Sequence, residues 1–204
     1  GTGALDLSSL NGTNGFRLDG AAVSDFSGRA VSGAGDVNGD GIDDLIVGAP
    51  FADPNGQSSG SSYVVFGTSS DATGGTGALD LSSLDGTNGF RLDGVAGNER
   101  SGARVSDAGD VNGDGIDDLI VAAYFADPNG GESGSSYVVF GTSSDATGGT
   151  GALALSSLDG TNGFRLDGVA AADRSGVSVS GAGDVNGDGI DDLIVGAFLT
   201  DQNG

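Results

Sequence analysis

The 204 residues contain no cysteine, histidine, methionine, tryptophan or lysine, and only 3 prolines. Without cysteine or histidine there are no disulfides, no nitrogen- or sulfur-ligated zinc, no thiolate nucleophile and no imidazole acid–base chemistry. No apolar run approaches the roughly 20 residues of a membrane-spanning helix. Positive charge is scarce: all 7 basic residues are arginine, against 29 acidic residues, 27 of them aspartate, for a formal net charge of −22. Such a surface repels phosphate, so neither nucleic acid nor membrane insertion or an anionic membrane surface is expected. The sequence opens at Gly1 with neither methionine nor a signal sequence, and the expectation is a mature fragment or an excised piece.

Glycine is abundant, at 42 residues. It follows no three-residue period, which excludes collagen, and the short apolar runs between glycines argue against disorder.

Self-comparison decides the architecture. Thr2-Gly-Ala-Leu-Asp returns at Thr76 and, with Ala154 for the aspartate, at Thr150. The stretch from Gly35 to Val47 returns from Gly109 and from Gly183, always 74 residues on, and the first two copies differ at 13 of 74 positions. The units are therefore 2–75, 76–149 and a truncated 150–204, and a slice of a longer array is expected.

Within a copy, four strands are expected. Phe16–Asp19 alternates apolar and charged residues. Arg29–Gly35 is small, suited to close backbone approach. Asp44–Gly48 is continuously apolar, as a strand covered on both faces should be. Ser62–Phe66 is aromatic and β-branched. Asp53-Pro-Asn-Gly56 and several Asn-Gly or Asp-Gly pairs supply turns, and no helical periodicity is present. The expected fold is all-β, with propeller blades of four antiparallel strands in tandem 74-residue repeats, as an incomplete propeller or open array. A sandwich or a β-solenoid is the alternative. Phe16, Tyr63 and Phe66 with their copies are expected in the core between blades. Arg17, Arg91 and Arg165 are expected to pair with Asp19, Asp93 and Asp167 along strand faces.

The chemically informative unit is Asp36-Val-Asn38-Gly-Asp40-Gly-Ile42-Asp-Asp44, present three times. Side-chain oxygens at its first, third, fifth and ninth positions, with glycine at the sixth, converge hard oxygens on one point, and the seventh-position carbonyl can join them. Calcium takes about 6–8 such oxygens in flexible geometry, whereas magnesium demands an octahedron and keeps its water. Transition metals would want nitrogen or sulfur. An EF-hand would place glutamate at the twelfth position, where Val47 stands, and would continue into a helix rather than a strand. A plain turn explains the glycines and aspartates but not three carboxylates aimed together. At about 4 Å each like-charge pair costs roughly 1 kcal/mol in water and about 4 at an effective dielectric near 20. The eighth-position residues Asp43, Asp117 and Asp191 are expected to be solvated or capping.

With Ser27-Gly28 upstream and Leu-Ile-Val-Gly48-Ala49-Pro50 downstream, each copy resembles the FG-GAP repeats of the integrin α-subunit propeller and their bacterial relatives. The sequence departs from that pattern at Ser27, Ser101 and Ser175, which stand for the aromatic. It departs again at Ala122-Ala-Tyr124 and Gly196-Ala-Phe198, which replace Gly-Ala-Pro. The resemblance implies one Ca2+ per repeat, held by Asp36, Asn38, Asp40, the Ile42 carbonyl and Asp44. It implies the same for Asp110, Asn112, Asp114, Ile116 and Asp118, and for Asp184, Asn186, Asp188, Ile190 and Asp192. It also implies an extracellular or cell-surface location and a partner that is an extracellular protein or glycan. In family strand order the chain holds a lone outer strand, two full blades and two strands of another. A propeller closes with about 4–8 blades, so head-to-tail association with copies of itself is the other expected partner. The candidate partner surface is Phe51–Ser62, its copy Phe125–Ser136, and Leu199 onward.

Catalysis is not expected. Acid–base work would fall to carboxylates, tyrosines and hydroxyls, and the conspicuous aspartate groups lie in three equal loops rather than one centre. Two roles remain in view: a calcium-dependent structural or adhesive module, and a self-assembling surface-layer, sheath or filament subunit.

Overall fold

The computed structural model describes residues 3–70, 73 and 75–199. Among them, thirteen strands follow one another: β1 (Arg17–Asp19), β2 (Ala30–Gly35), β3 (Asp44–Ala49), β4 (Ser61–Val65), β5 (Ala78–Asp80), β6 (Gly89–Asp93), β7 (Arg104–Gly109), β8 (Asp118–Ala123), β9 (Ser135–Val139), β10 (Ala152–Ala154), β11 (Gly163–Asp167), β12 (Ser178–Gly183) and β13 (Asp192–Gly196).

They form two antiparallel four-stranded blades, β2-β3-β4-β6 and β7-β8-β9-β11, with β1 before them and the pair β12-β13 after. Each blade takes its outermost strand from the following sequence copy. The fourth strand therefore fastens one repeat to the next, as the sequence leads one to expect.

The structure adds an element with no sequence signal. β5 lies parallel to β1, and β10 lies parallel to β6, pairing Arg91 with Ala152 and Leu92 with Leu153. The segment is three residues long, too short to show periodicity. What makes it a strand is the free edge of the outer strand beside it, where Gly151 accepts the Arg91 N–H at 2.9 Å. A single 3₁₀ turn follows, at Leu81–Ser83 and Leu155–Ser157, as at Leu7–Ser9. Asp80 caps the first of these by accepting the Ser82 N–H at 2.8 Å, and Ala154 removes that cap in the third copy.

The core sits between blades. Ile46 and Val64 on one face of the first blade pack with Val105, Leu119 and Val121 of the second. Val47 and Val65, on the opposite face of the same strands, pack with Leu18, Leu79 and Leu81. Ile120 and Val138 pack with Val179, Leu193 and Val195. The apolar run of β8 is thus buried on both faces and that of β3 everywhere except Leu45, which is 37% exposed, and full burial of a side chain such as Ile120 contributes about 1.5–3 kcal/mol. Tyr63 and Phe90 are buried, but Phe16, just before β1, is 36% exposed; among the described residues β1 is hydrogen-bonded to β5 alone.

Candidate metal centre

Each acidic loop joins the first and second strands of a blade, β2 to β3, β7 to β8 and β12 to β13. A β-bulge at the end of the first strand aims it: the register shifts between Gly33 and Gly35, Asp107 and Gly109, and Gly181 and Gly183. The bulge residue needs a left-handed backbone, with φ +67° at Gly35 and +69° at Gly109, which glycine supplies at least cost.

Inside the loop the side-chain oxygens gather on one short stretch of backbone. Asp36 accepts the Asp40 and Gly41 N–H groups at 3.0 and 2.7 Å, and Asn38 accepts the same Asp40 N–H at 2.9 Å. Asp40 accepts the Ile42 N–H at 2.9 Å. Asp44 reaches back from β3 to the Val37 N–H at 3.0 Å and across to the Gly67 N–H at 2.7 Å. The other copies repeat this. Asp110 accepts the Gly113, Asp114 and Gly115 N–H groups, Asn112 that of Asp114, Asp114 that of Ile116, and Asp118 those of Val111 and Gly141. In the third, Asp184 accepts Gly187, Asp188 and Gly189, Asn186 accepts Asp188, Asp188 accepts Ile190, and Asp192 accepts Val185. The Ile42 and Ile116 side chains pack toward Gly67 and Gly141.

Among the described residues, no three carboxylates are clustered closely enough to form a ready-made metal cage. Like charges spread apart, and each carboxylate takes backbone N–H groups instead. The donor set nevertheless fits a hard divalent cation, since every side-chain donor is oxygen. Asp44 and Asp118 have no exposed surface at all. Burial pushes the Asp44 carboxyl up to about 6, with Asp40 and Asp36 adding repulsion against the help of its two N–H donors. Burial pushes Asp118 to about 7, with repulsion from Asp114 and Asp110. The ion pairs among the described residues are Arg17–Asp19, Arg91–Asp93, Arg165–Asp167 and Arg174–Glu132, so no arginine neutralises a loop carboxylate. A buried carboxylate without a cationic partner is what a bound cation relieves.

Sequence reasoning missed what the eighth position does. Asp117 does not face solvent: its carboxylate accepts the Asp36 N–H of the preceding loop at 2.8 Å, and Asp191 accepts the Asp110 N–H at 3.1 Å. The expectation of capping is met, but across blades. The signal lies in Gly35 and Gly109, where a Cβ would come within 2.2 and 2.1 Å of those carboxylates.

At the far end of the strands, the candidate partner loop is braced rather than loose. Asn55 and Asn129 donate to the Gly94 and Gly168 carbonyls, each at 2.8 Å. The third copy's counterpart beyond Leu199 lies outside the described residues. Ser101 replaces the aromatic of the motif in a fully buried place, and a Cβ on Gly94 would lie 2.8 Å from its Cβ, so no ring would fit.

Comparison with known proteins agrees with this geometry. The FG-GAP repeat family matches residues 27–65, 103–139 and 175–203. The chain is 30% identical to integrin alpha-PS2 of Drosophila melanogaster over 205 residues, covering 98% of this chain and 13% of that protein. It is 30% identical to integrin alpha-4 of Xenopus laevis over 190 residues, covering 92% and 16%, and 31% identical to integrin alpha-IIb of Mus musculus over 187 residues, covering 89% and 16%. The chain thus spans only 13–16% of the length of these relatives. By its three matched repeats and its blades, the chain belongs to the FG-GAP repeat family.

Proposed function

We propose that this chain is an extracellular, non-enzymatic calcium-binding repeat module with a structural or adhesive role. Its functional unit is the 74-residue copy (2–75 and 76–149, with 150–204 truncated), each carrying one ion site made of the five residues set out for its loop. The observation that carries this reading is the buried, unneutralised carboxylate of Asp44 and of Asp118 at the mouth of an all-oxygen loop. When bound, the ion supplies positive charge that ties the loop to the base of the second strand. The protein's part is to present Asp36, Asn38 and Asp40 from the loop and Asp44 from β3. It also holds the neighbouring Gly67 backbone against Asp44. Titration calorimetry with calcium tests the proposal: saturable binding is expected, and no heat above the dilution blank would overturn it.

Self-association into a surface layer or filament is a second reading. It is favoured by apolar residues on the outer blade faces, where Val31 is 67% and Ile194 is 61% exposed. Sedimentation in millimolar calcium distinguishes the two, because a single monomeric boundary at high concentration would remove the polymer.

A further inference from the structure

The end of each blade opposite the acidic loops carries a stack of rings and guanidinium groups. Phe26 lies against Phe51 at 5.0 Å between ring centroids. Arg100 takes the place of Phe26 in the next copy, with its guanidinium carbon 4.9 Å from the Phe51 centroid and 4.6 Å from that of Phe125. Arg174 follows, 5.5 Å from Phe125. The Arg100 guanidinium thus lies against two phenyl rings, and a guanidinium stacked on rings offers its in-plane N–H edge to a carboxylate.

The third copy shows what reaches that edge. Arg174 donates to Glu132 through both Nε and a terminal nitrogen. The backbone beneath is the same in both copies: Arg174 N–H donates to the Glu132 carbonyl at 3.0 Å, and Arg100 N–H donates to the Ser58 carbonyl at 3.0 Å. Both arginines hold a left-handed backbone, with φ of +52° and +55°. Among the differences between the copies, serine stands at 58 where glutamate stands at 132, so the carboxylate that pairs with Arg174 has no counterpart there, and Arg100 forms no ion pair among the described residues. The acids close in sequence each accept a backbone N–H and form no ion pair with Arg100. Asp53 and Asp127 accept the Ser58 and Glu132 N–H groups at 2.6 Å, Glu99 accepts that of Ala96, and Asp173 that of Ala170. Arg104, whose guanidinium carbon lies 5.7 Å from the Tyr124 centroid beside Phe125, forms no ion pair among the described residues either.

We infer that Arg100, stacked between Phe51 and Phe125 and lacking the glutamate that its counterpart Arg174 has, is a binding site for a carboxylate group presented by an acidic segment of a partner protein. This deepens the adhesive reading, since it names the chemistry recognised on the loop surface of Phe51–Ser62 and Phe125–Ser136, and it is independent of calcium. The rings hold the guanidinium flat, so the edge is set before the ligand arrives, and a carboxylate is the one common protein group that matches it.

The test is an NMR titration of the whole chain with acetyl-aspartate N-methylamide at low salt, following the arginine Nε–H signals, in calcium and again in chelator. Arg100 is expected to shift saturably, with a dissociation constant on the order of 10 mM for this single pair, while Arg174 and Arg91 stay fixed. Ser58→Glu should abolish the Arg100 response by supplying the missing partner from within. Glu132→Ser should make Arg174 respond as Arg100 does. Arg100→Lys, which keeps the charge but loses the flat fork, should leave no saturable response at the neighbouring Ser58 amide. The inference is overturned if Arg100 is silent, if all arginines shift alike, or if Glu132→Ser leaves Arg174 unchanged. Failure of calcium binding would leave these outcomes intact, so the two readings fail separately.

Discussion

Asp117 and Asp36, one in each of two neighbouring blades, hold each other by two hydrogen bonds. The Asp117 carboxylate accepts the Asp36 N–H at 2.8 Å, and the Asp117 N–H donates to the Asp36 carbonyl at 3.3 Å. Asp36 is also the first residue of the proposed ion site. The contact therefore ties each acidic loop to its successor, as Asp191 ties to Asp110 through the same two bonds. The proposed ion site of one loop and the packing of the next blade therefore share a residue.

Removing that tie has a measurable cost. Asp117→Ala leaves the Asp36 N–H without its partner and should destabilise the chain by about 1–3 kcal/mol in urea unfolding. Asp43→Ala is the control, because Asp43 forms no such bond among the described residues, and it should change stability by less than about 0.5 kcal/mol. Equal effects of the two substitutions would refute the inter-blade role.

Gly35→Ala should be among the most damaging single changes. It places a Cβ at 2.2 Å from the Asp117 carboxylate and forces a left-handed backbone at φ +67°. A loss of more than about 2 kcal/mol is expected. Gly183→Ala has the same backbone strain but no neighbouring group within 4 Å, and so should cost clearly less.

Calcium should raise the melting temperature and a chelator should lower it. At a concentration about a thousandfold above the dissociation constant, each intact site adds about 4 kcal/mol. Asp40→Ala should remove one ion per chain in titration calorimetry and leave the other sites filled. Identical melts in calcium and in excess chelator would exclude the proposed sites.

The pH dependence follows from the raised carboxyls of Asp44, at about 6, and Asp118, at about 7. An unfolded aspartate titrates near 3.9. Between about pH 4 and 7 the folded, calcium-free chain therefore binds more protons than the unfolded one, and its stability falls as pH rises. In chelator, the midpoint of urea unfolding should be higher at pH 5 than at pH 7.5, and Asp44→Asn with Asp118→Asn should flatten that slope. Calcium affinity should run the other way, weakening as pH falls, because the ion competes with the proton for the same oxygens. A chelated protein that loses stability on going from pH 7.5 to 5, as its exposed aspartates with lowered values alone would dictate, would contradict the assignment.

Much of this protein is legible in its sequence. The 74-residue repeat and the four strand segments follow from local pattern, because period-two alternation and turn residues act over a few neighbours, whereas the borrowed fourth strand is implied by the family resemblance. The acidic loop is equally local, since its oxygens bond to N–H groups at most seven residues away, apart from Gly67 and its copies. The inter-blade aspartates, the parallel strands β5 and β10, and the ring–guanidinium stack are not local. Asp117 and Asp36 are 81 residues apart, and nothing in either segment names the other.

What the amino-acid order determined by itself is the unit: its four strand segments and its loop of oxygen-bearing side chains. Tertiary structure alone decided which of three near-identical copies is dry and which is wet. Ile120 is fully buried while Ile194, in the same place of the next copy, is 61% exposed, and Val105 is 8% exposed against 67% for Val31. Burial is a property of neighbours rather than of residues. A carboxylate such as Asp118 is driven toward its neutral form because a blade lies on each side of it, and a loop of the same nine residues in the third copy, with a blade on one side, is left to the solvent.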